Sequence, residues 1–429
     1  MSRHTTAARL VAAAALATLA RASGEGAELP ASGPLPLAAV VEWARAQNPA
    51  LEAARRRTAA AEAEPTRAAA WDDPTVSWEI WNAPESFRVE RADNNIVRLS
   101  QKLPFPGKRR LAGEAARRDA DMARRDADGV ELDVLADVER AYYELWKRHQ
   151  QLAVHSRDKE LVQRYARIAE SRYAVGEASQ PDVLRAQVEL TRLINRVTTG
   201  MLAIDEARAE LNALLSRVPD APLGVPEDPP PPRLAARPED LIALALDHRP
   251  ELAAQAAAVA REQTALRLAR MNYLPDFEVA ASRFINRTGG DGFGAMASIS
   301  IPLAFKSKYD AGVEQASARL AAARADQRRL EDRVRREVQQ AFLRARSALE
   351  RHQLFVSTHI PQAEQALRAS EAAYQTGRMD FLSLIDSVRA IEAIHLEHYE
   401  ADADFEEARA DLERAVGTEL PHAAPEGRP

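Results

Sequence analysis

The sequence predicts a mainly α-helical chain that also carries membrane β-strands, built as two copies of one helix, β-hairpin and long coiled-coil-hairpin unit. Three observations predict it. The 429 residues are 46% apolar but only 5% aromatic, with 17 Gly, the composition of long, closely packed helices rich in Ala and Leu. Landmarks recur in the same order at a spacing near 200 residues. Each copy holds two short runs with a period of two, which belongs to strands.

Composition also excludes several classes. With no Cys, the chain has no disulfide framework, Cys-ligated zinc site, thiol nucleophile or lipid-acylated N-terminal Cys. The 58 Lys+Arg against 64 Asp+Glu give a net charge of −6, no field for a phosphate backbone, so nucleic acid is not an expected partner. No phosphate-cradling Gly loop, nucleophile elbow or metal-ligand signature is present, so neither an enzyme nor a cofactor is expected.

The elements follow in order. Residues 1–24 lack Asp and Glu, Arg3 and Arg9 precede the apolar run 10–20, and Ala20-Arg21-Ala22 supplies an Ala-x-Ala cleavage site. Residues 1–22 therefore read as a secretory signal peptide, with a run too short to span a bilayer, which takes about twenty residues. No later run approaches that length, so entry into a membrane would be by strands. The first copy is expected over residues 23–218, a Pro-rich connector over 219–237, the second copy over 238–417 and a flexible tail over 418–429. Pro49, Pro74 and Tyr173-Ala-Val-Gly176 match Pro250, Pro275 and Tyr374-Gln-Thr-Gly377 at a spacing of 201, and Leu103-Pro-Phe-Pro-Gly-Lys108 matches Ile301-Pro-Leu-Ala-Phe-Lys306 at 198. Prolines 229–232 hold the connector extended.

Within each copy an Ala-rich helix comes first, over 36–70 with a kink at Pro65 and over 238–270. Alternating runs follow at 75–81 and 95–103, then at 276–284 and 293–301, each pair separated by a polar loop (82–93 and 285–292). Long uninterrupted helices are expected from 108 to 173 and from about 310 to 374, about 100 Å each at 1.5 Å per residue. The chain returns through 181–216 and 381–416. On the first return arm Leu190, Ile194, Val197, Met201, Ile204, Arg208, Leu211 and Leu215 form a heptad seam.

Four short strands cannot close a barrel, and lipid forbids an open sheet edge, so several chains must pool strands. Three chains supply twelve; two supply eight, too narrow for an open channel. Trp78 and Trp81 suit the rims of such a barrel. A small soluble β-subdomain is the other reading of these runs.

The duplicated order, the Asn48-Pro49-Ala50-Leu51 opening, the Leu103-to-Lys108 strand-to-helix junction and the paired Tyr-x-x-Gly turns resemble the outer-membrane efflux protein family, the TolC-like exit ducts, over about residues 36–417. The resemblance implies a homotrimer: a twelve-stranded β-barrel among outer-membrane lipid, continued by a periplasmic α-helical barrel. It implies a passive exit duct docking with a periplasmic adaptor (membrane fusion protein) and an inner-membrane pump of the resistance-nodulation-division type. The Pro-Phe-Pro-Gly-Lys stretch is similar to members serving heavy-metal cation pumps, so metal cations are the expected cargo ahead of drugs or other small molecules. The alternative from another class is a periplasmic coiled-coil scaffold or adaptor without a barrel, which has no need for four strands.

For site residues, the resemblance implies that the two hairpin turns form the periplasmic tip. Val175, Gly176, Ser179, Thr376 and Gly377 are the expected adaptor contacts, although each Gly also has a local reason in the left-handed turn it permits. Glu177 stands where the family carries an apolar residue. The family's tip lock maps onto Asp182, Tyr374 and Arg378, the last one place closer to Gly377 than usual. Asp386 matches a carboxylate ring across the constriction, with Ser383 in place of its acidic companion. Three such carboxylates would favour cations and raise one another's pKa; an ordinary solvated Asp386 is the bland reading. On the second return arm the seam runs through Ile391, His395, His398, Asp402, Phe405, Arg409, Leu412 and Val416. His395, His398 and Asp402 thus replace Ile194, Val197 and Met201, as weak metal-ligand candidates or as polar groups bonding between helices or lining a lumen. A shifted seam through Ile394, His398, Ala401 and Phe405 leaves His395 peripheral.

Overall fold

The computed structural model describes residues 29–82, 92–286 and 289–420. The expected signal segment 1–22, most of the 82–93 loop and most of the 418–429 tail lie outside them. The chain opens with a two-residue strand β1 (Pro34–Leu35), then α1 (Leu37–Gln47) and α2 (Pro49–Ala68). The single helix expected over 36–70 is therefore divided at Asn48. A residue before proline is pushed out of the α region, and Asn48 sits at ψ 124°. Its side chain then accepts from the Ala50 amide at 2.8 Å as the cap of α2. Pro65 lies inside α2, which ends at Ala68.

The first hairpin is β2 (Thr75–Trp81) and β3 (Asn94–Leu103), within a residue of the expected runs. Helix α3 (Lys108–Ala174) then runs unbroken for 67 residues, and α4 (Gln180–Leu214) returns beside it. The connector stays extended; its β4 (Val225–Pro226) pairs in parallel with β1, contacts the sequence reading lacked. Tyr142 of α3 anchors both, donating from its hydroxyl to the Leu35 carbonyl at 2.7 Å and accepting from the Glu227 amide at 2.9 Å.

The second copy repeats the plan with α5 (Pro238–His248), α6 (Pro250–Met271), β5 (Asp276–Asn286) and β6 (Gly292–Ser300). Arg249 before Pro250 breaks the helix as Asn48 does, at ψ 120°. A π-helical turn (Phe305–Asp310) leads into α7 (Ala311–Leu354), and another (Phe355–His359) separates it from α8 (Ile360–Gln375). That second turn corrects the uninterrupted helix expected from 310 to 374. Pro361 has no N–H for the carbonyl one turn back and its ring crowds that turn, so the backbone widens just ahead of it. Helix α9 (Phe381–Val416) completes the fold.

Among the described residues, four strands form one antiparallel sheet in the order β2-β3-β5-β6, so β3 and β5 weld the two copies together. The register puts Val76 opposite Leu99, Trp78 opposite Val97, Leu99 opposite Ala281 and Phe277 opposite Ile299, all on one exposed apolar face. Glu79, Arg98, Lys102, Glu278 and Ser282 occupy the other, where Arg98 lies 3.7 Å from Glu79 and bonds Ser282. Apolar outside and polar inside is the pattern of a membrane barrel strand. Trp78 shares the apolar face, whereas Trp81, at the end of β2, shares the other and donates to Glu79.

The junction between sheet and helices is clasped across the copies. Lys108 Nζ reaches both the Asp276 carboxylate at 2.8 Å and the Leu274 carbonyl at 2.9 Å, and the Phe105 amide donates to Asp276. Helix packing then follows three buried clusters. One joins Leu35, Val40, Tyr142, Leu145 and Leu211; another joins Leu241, Val334, Val338, Leu412 and Val416; the third joins Val162, Leu193, Tyr374, Phe381 and Leu384 close to the turns.

The seam expected on α4 needs one correction. Val197, Ile204 and Leu211 are buried as expected, but Ile194 and Met201 are 49% and 55% exposed while Leu193 is buried instead. The column through Val197, Ile204 and Leu211 holds, and its companion runs one residue earlier than expected, through Leu193, Gly200 and Ala207, with Gly200 set against Leu152.

Candidate functional site

The two hairpin turns share one backbone solution. Gly176 and Gly377 both take positive φ, 81° and 72°. In the first turn the Gly176 amide bonds the Tyr173 carbonyl at 3.0 Å and the Glu177 amide bonds that of Arg172 at 2.8 Å; Gly377 to Tyr374 and Arg378 to Ala373 repeat it at 3.1 and 2.9 Å. This is the left-handed helix stop that only glycine enters without strain. It leaves Val175, Gly176, Ser179, Thr376 and Gly377 exposed together at one end of the molecule, with Val175 at 71%.

Asp182 faces back on its own turn, accepting from the Ser179 hydroxyl at 2.7 Å and the Ser179 amide at 3.3 Å, with Arg185 at 3.7 Å. Tyr374 is 4% exposed and packs edge-on to Phe381 at 5.8 Å. Burial pushes its phenol above the usual value, and the Asp182 charge adds to that against Arg172. The residue that ties the turns together is Arg172, which sequence reasoning missed. Its guanidinium lies over the Tyr374 ring and donates to the Tyr374 and Gln375 carbonyls at 2.8 and 3.0 Å. The signal was the mismatch of the repeat: Ala373 stands where the first copy has Arg172. Arg378 is exposed and makes no side-chain ion pair among the described residues, so the chain brings Tyr374 and Asp182 near each other without Arg378.

Asp386 is 60% exposed, with Arg389 Nη1 at 3.4 Å. Arg389 binds Glu189 of α4 more closely, at 2.5 Å. One turn along, Glu392 takes the reverse partnership, bonding Arg196 of α4 and His155 of α3, the latter at 3.0 Å. Both glutamates are almost fully buried. At Glu392 burial opposes ionisation, but the bonds from His155 and Arg196 together hold its carboxyl below the ordinary range. These crossed pairs join the first copy's hairpin to α9, and they too were not foreseen.

Farther along α9, His398 Nε2 lies 3.6 Å from Asp402, and Asp402 bonds Nδ1 of His352 from α7. His395 is not among the converging donors: burial lowers its pKa, Arg157 and His398 act the same way, and Glu364 opposes them. Burial likewise lowers His398, with Asp402 opposing. The donors that the structure brings together are those of His352, His398 and Asp402, with α7 supplying the second ring in place of His395.

A sequence profile of the outer membrane efflux proteins matches residues 40–217 and 241–418. The chain belongs to the outer membrane efflux protein family. Each of the two matched segments is one copy of the duplicated unit. The cobalt-zinc-cadmium resistance protein CzcC of Cupriavidus metallidurans is 23% identical over 390 residues, 90% of this chain and 91% of CzcC. The outer membrane protein VceC of Vibrio cholerae superposes with a TM-score of 0.74 at 19% identity, covering 89% of this chain and 96% of VceC. CusC, described as forming a transmembrane channel, superposes with a TM-score of 0.76 at 15% identity, covering 89% and 92%. As an outer membrane efflux protein the chain has the mainly helical, duplicated fold of the TolC-like channel-tunnels. It resides in the outer membrane and extends into the periplasm. The family is one of channel proteins. Among the described residues no helix is long and apolar enough to cross a membrane.

Proposed function

We propose that this chain is the passive exit duct of a tripartite efflux system, docking with a periplasmic adaptor and a resistance-nodulation-division pump to export heavy-metal cations. The observation that carries it is the joining of a membrane-patterned sheet to helices about 100 Å long, 1.5 Å per residue over α3, in a chain whose relative CzcC is named for cobalt, zinc and cadmium resistance. Such a span crosses space but holds no energy source, so transport is driven by the pump. The exposed turn residues Val175, Gly176, Ser179, Thr376 and Gly377 are the adaptor contacts. Asp386, projecting from α9 near the turns, supplies one carboxylate per chain to a constriction that favours cations. Asp182, Tyr374 and Arg378 form the lock, with Arg172 holding Tyr374 and Arg378 reaching a neighbouring chain.

The test is complementation. In a strain lacking its own channel but carrying the CzcC-type pump and adaptor, this chain is expected to raise tolerance to cobalt, zinc and cadmium. Drug tolerance raised with a drug pump, and no metal tolerance with a metal pump, would reverse the cargo assignment.

A further inference from the structure

We propose that His352, His398 and Asp402 bind one divalent transition-metal ion, such as Zn²⁺, between α7 and α9. The site does not rest on which cargo the duct exports. One donor atom of each residue lies within 4.8 Å of the other two. The donors come from two helices: His352 from the end of α7, and His398 and Asp402 from adjacent turns of α9, where a spacing of four puts them on one face. Their side chains are 19%, 15% and 12% exposed, so the cluster is sheltered yet reachable.

Two imidazoles and one carboxylate form a ligand set that suits zinc and leaves a position for water. In a tetrahedral set at about 2.0–2.2 Å from the ion, donor atoms stand about 3.3–3.6 Å apart, so the cluster must close by up to about 1.5 Å. Side-chain rotation suffices for that, since Asp402 already bonds His352 and lies beside His398. The two rings are 5.4 Å apart, centroid to centroid. Nε2 is the His398 nitrogen that faces Asp402 and is the donor on the cluster's side of the ring.

The duplication supplies an independent control. At the repeat spacing of 201 the first copy has Gln151 at the place of His352, Val197 at that of His398 and Met201 at that of Asp402. His398 and Asp402 carry ligand types in the second copy only, whereas the Arg351-His352-Gln353 stretch also occurs in the first copy as Arg148-His149-Gln150. The π-helical turn Phe355–His359, which follows α7, is also found only in that copy, and its Phe355 packs 6.4 Å from the His398 ring. Such turns concentrate at functional sites.

The experiment is equilibrium dialysis of the full-length, detergent-extracted and metal-stripped protein against Zn²⁺, with thermal unfolding in parallel. The expected result is one Zn²⁺ per chain and a Tm that rises with Zn²⁺. H398V and D402M, which install the first copy's residues, are expected to weaken binding at least ~10-fold, while H395I binds as the wild type does. H352Q, a milder change at the cluster's edge, is the second variant, kept for the case that the α9 variants do not assemble. Wild-type protein that binds Zn²⁺ no more tightly than H352Q, or H395I that loses as much as H398V, would overturn the site.

Discussion

At the scale of single residues, Glu139 of α3 and Glu392 of α9 respond to pH in opposite senses. Glu139 is half-buried beside Glu413, Arg409 and Glu406, with one carboxylate oxygen lacking a hydrogen bond. Burial first, and the Glu413 charge next, push its pKa up to about 7 from the ordinary 4.5. The native state therefore holds a proton between those values that the unfolded chain releases, so this residue's contribution to stability grows as pH falls from 8 to 5. Glu139→Gln is expected to raise stability by about 1–3 kcal/mol at pH 8 and by almost nothing at pH 5, read from thermal unfolding. An equal gain at both pH values would mean that packing, and not charge, is responsible. Residues of this kind were not legible in the sequence. Glu139, Arg172 and His352 look like ordinary helix surface until a partner arrives from 50 to more than 200 residues away.

Among elements, legibility depended on whether the signal was local. The strands emerged within two residues because a period of two is written in consecutive side chains such as Val76, Trp78 and Ile80. The turns emerged because glycine after Tyr-x-x marks a left-handed stop. The breaks at Asn48 and Arg249 were equally local and still missed, since Pro49 and Pro250 served as repeat landmarks instead of helix starts. The pairing of α4 with α9 lay beyond any local pattern, because it is made by charges placed at buried positions. Glu189 to Arg389 and Glu392 to Arg196 cross in opposite directions, so removing one carboxylate leaves cations facing a closed interface. Glu392→Gln is expected to cost about 1–3 kcal/mol at pH 7. Because the folded carboxyl sits below its usual 4.5, its contribution is complete above that value and fades as pH falls through the lower folded one. The mutant and wild type should therefore converge in acid. A hydrogen-exchange comparison of α4 and α9 at pH 7 checks this, with unchanged protection in the mutant as the opposing result.

The whole molecule is incomplete as one chain. Among the described residues, strands β2 and β6 end the sheet with unpaired edges, while Val76, Trp78, Phe293 and Ile299 lie exposed on its apolar face. The helices carry the same signature: Leu184, Val188, Ile194, Met201 and Leu202 of α4 and Leu343 and Leu354 of α7 are all largely exposed. Lipid accounts for the first set, and neighbouring chains in a ring of helices account for the second. Closing the sheet edges requires the same neighbours, since backbone groups in hydrocarbon have no water to bind. Strand count, edge chemistry and helix surface thus demand one assembly, which the duplicated sequence already implied. The measurement that tests it most directly is the mass of the detergent-extracted protein from outer membranes, with unheated electrophoresis alongside. Three chains per particle, resistant to detergent until heated, is the predicted result. A single chain released with the soluble periplasmic fraction would contradict the pooled barrel and the duct built on it.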